Sequence, residues 1–134
     1  MSLYVDSSAL VKLYVDEPES DLSTELVESD AVRLTGGHTV VEVRRSLAQL
    51  IPPGQLKRMK TAFESDLGGF SIVELDEATC ELAASIAETT GVKSLDALHL
   101  GAARRGGGTS ITFLTFDLRQ AQAARTLGFT VVGA

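Results

Sequence analysis

A single cysteine, Cys80, stands in 134 residues, so no disulfide and no cysteine-based zinc site forms within one chain. That fits a reducing compartment, and a cytoplasmic protein is expected. Tryptophan is absent and aromatics make up 5% of the chain. Stacking on nucleic-acid bases therefore has little to work with. No apolar run approaches the ~20 residues of a membrane span, and no basic-then-apolar leader precedes the first strand, which follows Met1 at once. No membrane partner is expected. There is no repeat, low-complexity tract or linker, and 44% of residues are hydrophobic, so residues 1–134 are expected to form one domain around one core.

Bases are missing from two stretches. Residues 16–30 carry seven acids and no Lys or Arg, and residues 64–88 carry seven more with none. Both blocks read as solvated helix faces. The remainder of the chain holds all twelve Lys and Arg and four acids: Asp6, Glu42, Asp96 and Asp117. The net charge of −6 conceals this segregation.

What is present alternates short apolar runs with amphipathic ones, the signature of a mainly parallel α/β sheet covered by helices. Leu3-Tyr4-Val5 reads as a strand buried on both faces, with Asp6 at its end and Ser7 or Ser8 capping a helix over 9–14. A helix is expected over 20–27 and a strand over 31–35. Thr39 opens a helix to about Gln49 with Val40, Val43, Leu47 and Leu50 on one face, stopped by Pro52-Pro53-Gly54. A helix over 55–67, a strand over 70–75 and a helix from the Asp76 cap to Thr89 follow. Ser94 is expected to cap a helix to about Arg105, with Gly106–Gly108 as a flexible exit. A strand over 110–115, a helix from the Asp117 cap to Leu127, Gly128 at its end and a strand over 129–132 complete the chain.

Asp6, Glu42, Asp96 and Asp117 each fall at a strand end or in a first helical turn, so a parallel sheet points all four toward one edge. Ionised carboxylates brought together repel unless a cation lies among them or their pKa values rise. Hard divalent ions take oxygen ligands and retain waters, which fits hydrolysis of a phosphodiester. Each acid also has a structural reading. Thr39-x-x-Glu42 is a capping box, Asp96 sits where a helix dipole favours acids, and Asp117 is a good N-cap. Jointly, four acids alone in a basic background are not explained by capping.

The segments Tyr4-Val-Asp6-Ser-Ser-Ala-Leu-Val-Lys-Leu-Tyr14, Glu42-Val-Arg-Arg45, Leu95-Asp96-Ala-Leu-His-Leu100 and Leu114-Thr-Phe-Asp117 resemble, in order and spacing, the motif blocks of PIN-domain ribonucleases, in particular VapC-type toxins of toxin–antitoxin pairs. The resemblance implies a three-layer PIN-like fold, a parallel five-stranded sheet flanked by helices. It implies a Mg²⁺- or Mn²⁺-dependent endoribonuclease, RNA as substrate, a homodimer and a cognate antitoxin. Asp6, Glu42, Asp96 and Asp117 take the places of the family's acidic metal ligands, with Thr115 and Ser7 as nearby hydroxyls. Gly36-Gly37-His38 departs from the Ser-containing apolar run of such toxins. The other reading is a non-catalytic PIN-like module that binds RNA or a partner. A receiver-type phosphoacceptor is set aside because no Lys follows the last strand.

Arg44 and Arg45, with Lys57, Arg58 and Lys60, form an acid-free basic run that either contacts RNA or is a solvated helix face. Arg104 and Arg105 are similar candidates, or offset a helix dipole. His99 shares a helix face with Asp96 and is read first as a packed histidine. His38, flanked by glycine, is uninformative. Cys80 is read as a small buried hydrophobe.

Overall fold

The computed structural model describes residues 2–134, so Met1 lies outside the described residues. Five strands form one wholly parallel sheet in the order β3-β2-β1-β4-β5: β1 Ser2–Val5, β2 Val32–Gly36, β3 Ser71–Val73, β4 Thr112–Thr115 and β5 Thr130–Gly133. The central strand is β1, as its doubly apolar sequence requires. Tyr4 turns to one face and packs with Phe113, Leu100 and Ala124, while Leu3 and Val5 turn to the other and pack with Leu10, Val43 and Leu47. Each face is covered by helices, giving three layers. The helices α1 Ser7–Val11, α2 Ser20–Glu28, α3 Thr39–Leu50 and α4 Pro53–Leu67 cover one; α5 Glu77–Thr90, α6 Ser94–Gly107 and α7 Leu118–Thr126 cover the other.

The order of strand addition reverses at β1, with β2 and β3 on one side and β4 and β5 on the other. That arrangement opens a crevice at the carboxyl ends of β1 and β4, where open α/β sheets bind ligands.

Several boundaries differ from the sequence expectation, each for a physical reason. Asp6 itself caps α1, accepting the Ala9 N–H, so neither Ser7 nor Ser8 is the cap. Helix α3 ends at Leu50, ahead of Pro52-Pro53-Gly54 as expected, but α4 starts at Pro53 and not at Gln55, the fixed φ of proline suiting a first helical position. The N-cap of α6 is Lys93, one residue before Ser94, and the helix runs on through Gly106 to Gly107. It persists because Gly106 and Gly107 lie where a Cβ would meet Leu34 and Ile111 at 2.6 and 2.7 Å, a close approach that favours glycine. Strand β3 is three residues, as an edge strand with one partner can be. In α3, Val43 and Leu47 are buried but Leu50 is exposed, because the helix stripe drifts off the sheet at its end. Cys80 is exposed, contrary to expectation: α5 packs through Thr79, Ala83 and Ile86, and Cys80 falls just off that stripe.

Candidate active site

The crevice begins with Asp6. Its carboxyl is 3% exposed, and both hydrogen bonds to it fall on Oδ1, from the Ser8 hydroxyl at 2.6 Å and the Ala9 N–H at 3.3 Å. Burial pushes its pKa up, against the pull of His99 and of the Ser8 and Thr115 hydroxyls. Of the hydroxyls near this carboxylate, Ser8, which the sequence offered only as a helix cap, binds it directly, while Ser7 acts on Glu42. Ser8 Oγ also accepts from the Phe116 N–H at 3.0 Å and lies 3.3 Å from Thr115 Oγ1, joining the start of α1 to the end of β4. Thr115, fully buried, accepts from the Asp117 N–H at 3.1 Å. Ser8→Ala is expected to cost about 1–3 kcal/mol in urea denaturation, because the Phe116 N–H loses its partner; Ser7→Ala is expected to cost less.

Asp117 is exposed at the start of α7, where Oδ1 accepts the N–H groups of Arg119 and Gln120 at 2.9 and 3.2 Å. Asp96 is half-buried in the first turn of α6 and its backbone carbonyl is held by Gln120 Nε2 at 3.0 Å. That bond ties the Asp96 and Asp117 helices together. Burial raises the Asp96 pKa, and Asp117, Asp6 and Glu42 raise it further against His99. The other three acids thus all act on the Asp96 carboxyl. A cleft of about 530 Å³ lies beside Asp96 and Asp117, rimmed by Lys93 and Arg119. Neither base was singled out in the sequence.

Glu42 is not part of a capping box. The N-cap of α3 is His38, one residue early for Thr39-x-x-Glu42, and the Thr39 hydroxyl is engaged by that of Thr35 at 2.7 Å. The Glu42 carboxylate instead meets His99: Oε1 lies 2.7 Å from Nε2. Burial would push this carboxyl up, but the hydrogen bond and charge of His99, with His38 and Ser7 adding, hold it below the ordinary range. His99, 1% exposed, reaches the Tyr4 hydroxyl through Nδ1 at 2.7 Å. Tyr4 is fully buried and stacked on Phe113, and burial followed by the charge of Asp6 drives its pKa up, so the phenol keeps its proton. The network closes if Tyr4 donates to Nδ1 and His99 donates from Nε2 to Glu42. His99 is therefore packed, as expected, yet also in the site. Tyr4→Phe is expected to cost about 1–3 kcal/mol by chemical denaturation, since it leaves Nδ1 buried without a partner.

Arg44 and Arg45 are exposed on α3 and, with Lys60, border a separate hollow of about 290 Å³ between α3 and α4. Arg104 is structural: it donates to the Leu127 carbonyl at 2.6 Å and lies over the Phe129 ring. Arg105 pairs with Asp76 at 3.6 Å.

The residues fit a hard divalent ion. Beyond its hydrogen-bonded Oδ1, Asp6 has a second oxygen; so does Asp117, and Asp96 is held by its backbone. The donor set is carboxylate oxygen, which suits Mg²⁺ or Mn²⁺.

Comparison with known proteins identifies the family. A family model described as PIN domain matches residues 3–126. Ribonuclease VapC47 of Mycobacterium tuberculosis (strain CDC 1551 / Oshkosh) is 37% identical over 133 residues, covering 95% of this chain and 93% of its own. Ribonuclease VapC46 of Mycobacterium tuberculosis (strain ATCC 25618 / H37Rv) is 33% identical over 131 residues, covering 98% and 96%. Among solved structures, FitAcB from Neisseria gonorrhoeae superposes with a TM-score of 0.76 at 21% identity, covering 98% of this chain and 96% of the other. Mycobacterium tuberculosis VapC20, a sarcin–ricin loop cleaving toxin, gives 0.72 at 17% identity, covering 98% of each chain. The chain belongs to the PIN-domain family, with VapC ribonucleases as its relatives.

Proposed function

We propose that this chain is a metal-dependent endoribonuclease and the toxin of a type II toxin–antitoxin pair. The observation that carries the reading is convergence: of the four acids outside the acidic blocks, Asp117, Asp6 and Glu42 all lie near enough to Asp96 to raise its carboxyl. The curated relatives are named ribonucleases, and the structural neighbours include a toxin–antitoxin complex from Klebsiella pneumoniae. Asp6, Asp96 and Asp117, with Glu42, hold Mg²⁺ or Mn²⁺. Bound there, the ion supplies an activated water and neutralises charge on phosphoryl oxygens. Ser8 and Thr115 fix the Asp6 carboxylate and the turn that carries Asp117, and His99 fixes Glu42. Lys93 and Arg119 draw the RNA backbone to the cleft despite the negative total charge. Arg44 and Arg45 extend that attraction along α3. A cognate antitoxin covers the crevice, and the active species is a homodimer in the cytoplasm. Among the described residues no helix is long and apolar enough to cross a membrane.

The test is cleavage of a mixed single-stranded RNA pool by the full chain with Mg²⁺ or Mn²⁺. Cleavage abolished by chelation and by Asp96→Asn is expected. RNA left intact with either ion, or cut equally by Asp96→Asn, overturns the reading.

A further inference from the structure

Among the described residues, one set of three potential metal-ligand atoms lies within 4.8 Å of one another, and it is not drawn from three of the four acids: it comprises His38, Glu42 and His99. His38 and Glu42 stand four residues apart at the start of α3 and so share a helix face. His99 arrives from α6. The two imidazoles lie with centroids 4.0 Å apart and planes tilted by 43°, and both direct Nε2 at Glu42 Oε1, at 3.7 Å from His38 and 2.7 Å from His99.

His38 is the anomaly. It is 9% exposed, and neither buried ring nitrogen makes a hydrogen bond of good geometry, although the Leu95 backbone stands close to the ring. Such an orphaned polar group costs about 1–3 kcal/mol. Whichever nitrogen of a neutral imidazole carries the proton, the other holds a lone pair, and here that lone pair has no well-placed partner. A neutral imidazole with a free lone pair beside a carboxylate is a metal ligand in waiting.

We propose that His38, Glu42 and His99 form a second metal site, selective for an imidazole-preferring ion such as Zn²⁺, which shares Glu42 with the acidic site. Around a four-coordinate ion with bonds of ~2.0–2.1 Å, ligand atoms lie about 3.3–3.5 Å apart. The separations of 2.7 and 3.7 Å bracket that value, so small movements suffice. On binding, the His99 proton leaves Nε2 for Nδ1, and the Tyr4 hydroxyl changes from donor to acceptor. Tyr4 is then the partner that orients a metal-bound histidine. Two neutral imidazoles and one carboxylate leave a fourth position for water. Imidazole favours Zn²⁺ where the all-carboxylate set favours Mg²⁺ or Mn²⁺, so the two ions sort by chemistry. Because Glu42 serves both, Zn²⁺ withdraws it from the acidic site and inhibits. That consequence rests on the ribonuclease reading; the binding does not.

The test titrates ZnCl₂ into the full chain in a large excess of Mg²⁺, by calorimetry, and records X-ray absorption at the zinc edge. Expected are one Zn²⁺ per chain, a shell with two imidazole scatterers, and affinity lower by about tenfold or more in His38→Gln, by loss of a ligand rather than of an outer partner. Asp96→Asn is expected to retain Zn²⁺ binding. No binding, an all-oxygen shell, unchanged affinity in His38→Gln, or loss in Asp96→Asn each overturns the site. Should His38→Gln fail to fold in a metal-free thermal melt, the wild-type absorption spectrum decides alone. Zn²⁺ binding without RNA cleavage by any metal supports this site and overturns the ribonuclease reading.

Discussion

Asp6→Asn is expected to reduce RNA cleavage by at least ~100-fold, the upper end of what losing an outer-shell metal partner costs, while making the metal-free protein more stable. The two effects have one origin. The Asp6 carboxyl is buried and its pKa raised, so the ionised form strains the fold in the absence of a cation. Asparagine is isosteric, caps a helix about as well as aspartate, and carries no charge, so α1 is retained. The pH dependence follows from the sign. A carboxyl whose folded pKa lies above its unfolded value of about 3.9 contributes stability below that value and loses it as pH rises through the folded pKa. Metal-free wild type should therefore lose ground to Asp6→Asn as pH is raised toward neutrality, and the two should converge in acid. Asp96→Asn should behave alike, since burial and then Asp117 raise that carboxyl too. Glu42, held low, acts in the opposite sense and cancels in the comparison. Each kcal/mol should appear as a shift of roughly 3–6 °C for a domain of this size. Melting curves in chelator across pH check it. A variant less stable than wild type at neutral pH would show that Asp6 is a cap and nothing more.

How much of this was legible in the sequence depends on whether the information is local. The central position of β1 followed from Leu3-Tyr4-Val5, since an unbroken apolar run suits only a strand covered on both faces. Asp76, Asp117, Gly91 and Gly128 punctuate helices as their chemistry dictates, with φ of 75° at Gly91 and 92° at Gly128. The acids of the site were visible through charge segregation, a property of the whole chain. What was hidden is long-range side-chain pairing. The contact of His99 with Glu42 spans 57 residues and that with Tyr4 spans 95, and no periodicity encodes either. The one local signal was His99 at i+3 from Asp96. His38 stands four residues before Glu42, but flanked by glycine it showed nothing in the sequence, because its other partner, His99, comes from a distant element. The role of Ser8 was hidden for a geometric reason: capping by Asp6 turns the chain so that the hydroxyl two residues on reaches back to the carboxylate.

The second large effect lies outside the crevice. Gly101→Val is expected to cost about 3 kcal/mol or more and to remove cleavage with it, by overpacking a helix contact that cannot yield. Gly101 sits in α6 two residues beyond His99 and five beyond Asp96, facing Ala83 of α5. A Cβ there would stand 3.2 Å from Ala83 Cβ, 3.2 Å from its backbone N and 3.3 Å from its Cα. Backbone atoms do not rotate aside as a side chain does. The added methyls of valine can be accommodated only by parting α5 from α6 or by pressing α6 into β2, whose Leu34 lies beneath. Either movement carries Asp96 away from Asp117 and His99 away from Glu42. Alanine is the instructive intermediate: it brings the same first contact but recovers about 0.8–1 kcal/mol of helix propensity, so its net effect should be small. Gly54→Ala is the control. It lies in α4, its added Cβ meets nothing within 4 Å, and it should be neutral or stabilising by up to ~1 kcal/mol. Urea denaturation of the three variants, with RNA cleavage measured on each, separates the cases. Gly101→Val as stable as Gly54→Ala would mean that the α5–α6 contact is not what holds Asp96 and His99 in register with the opposite helices.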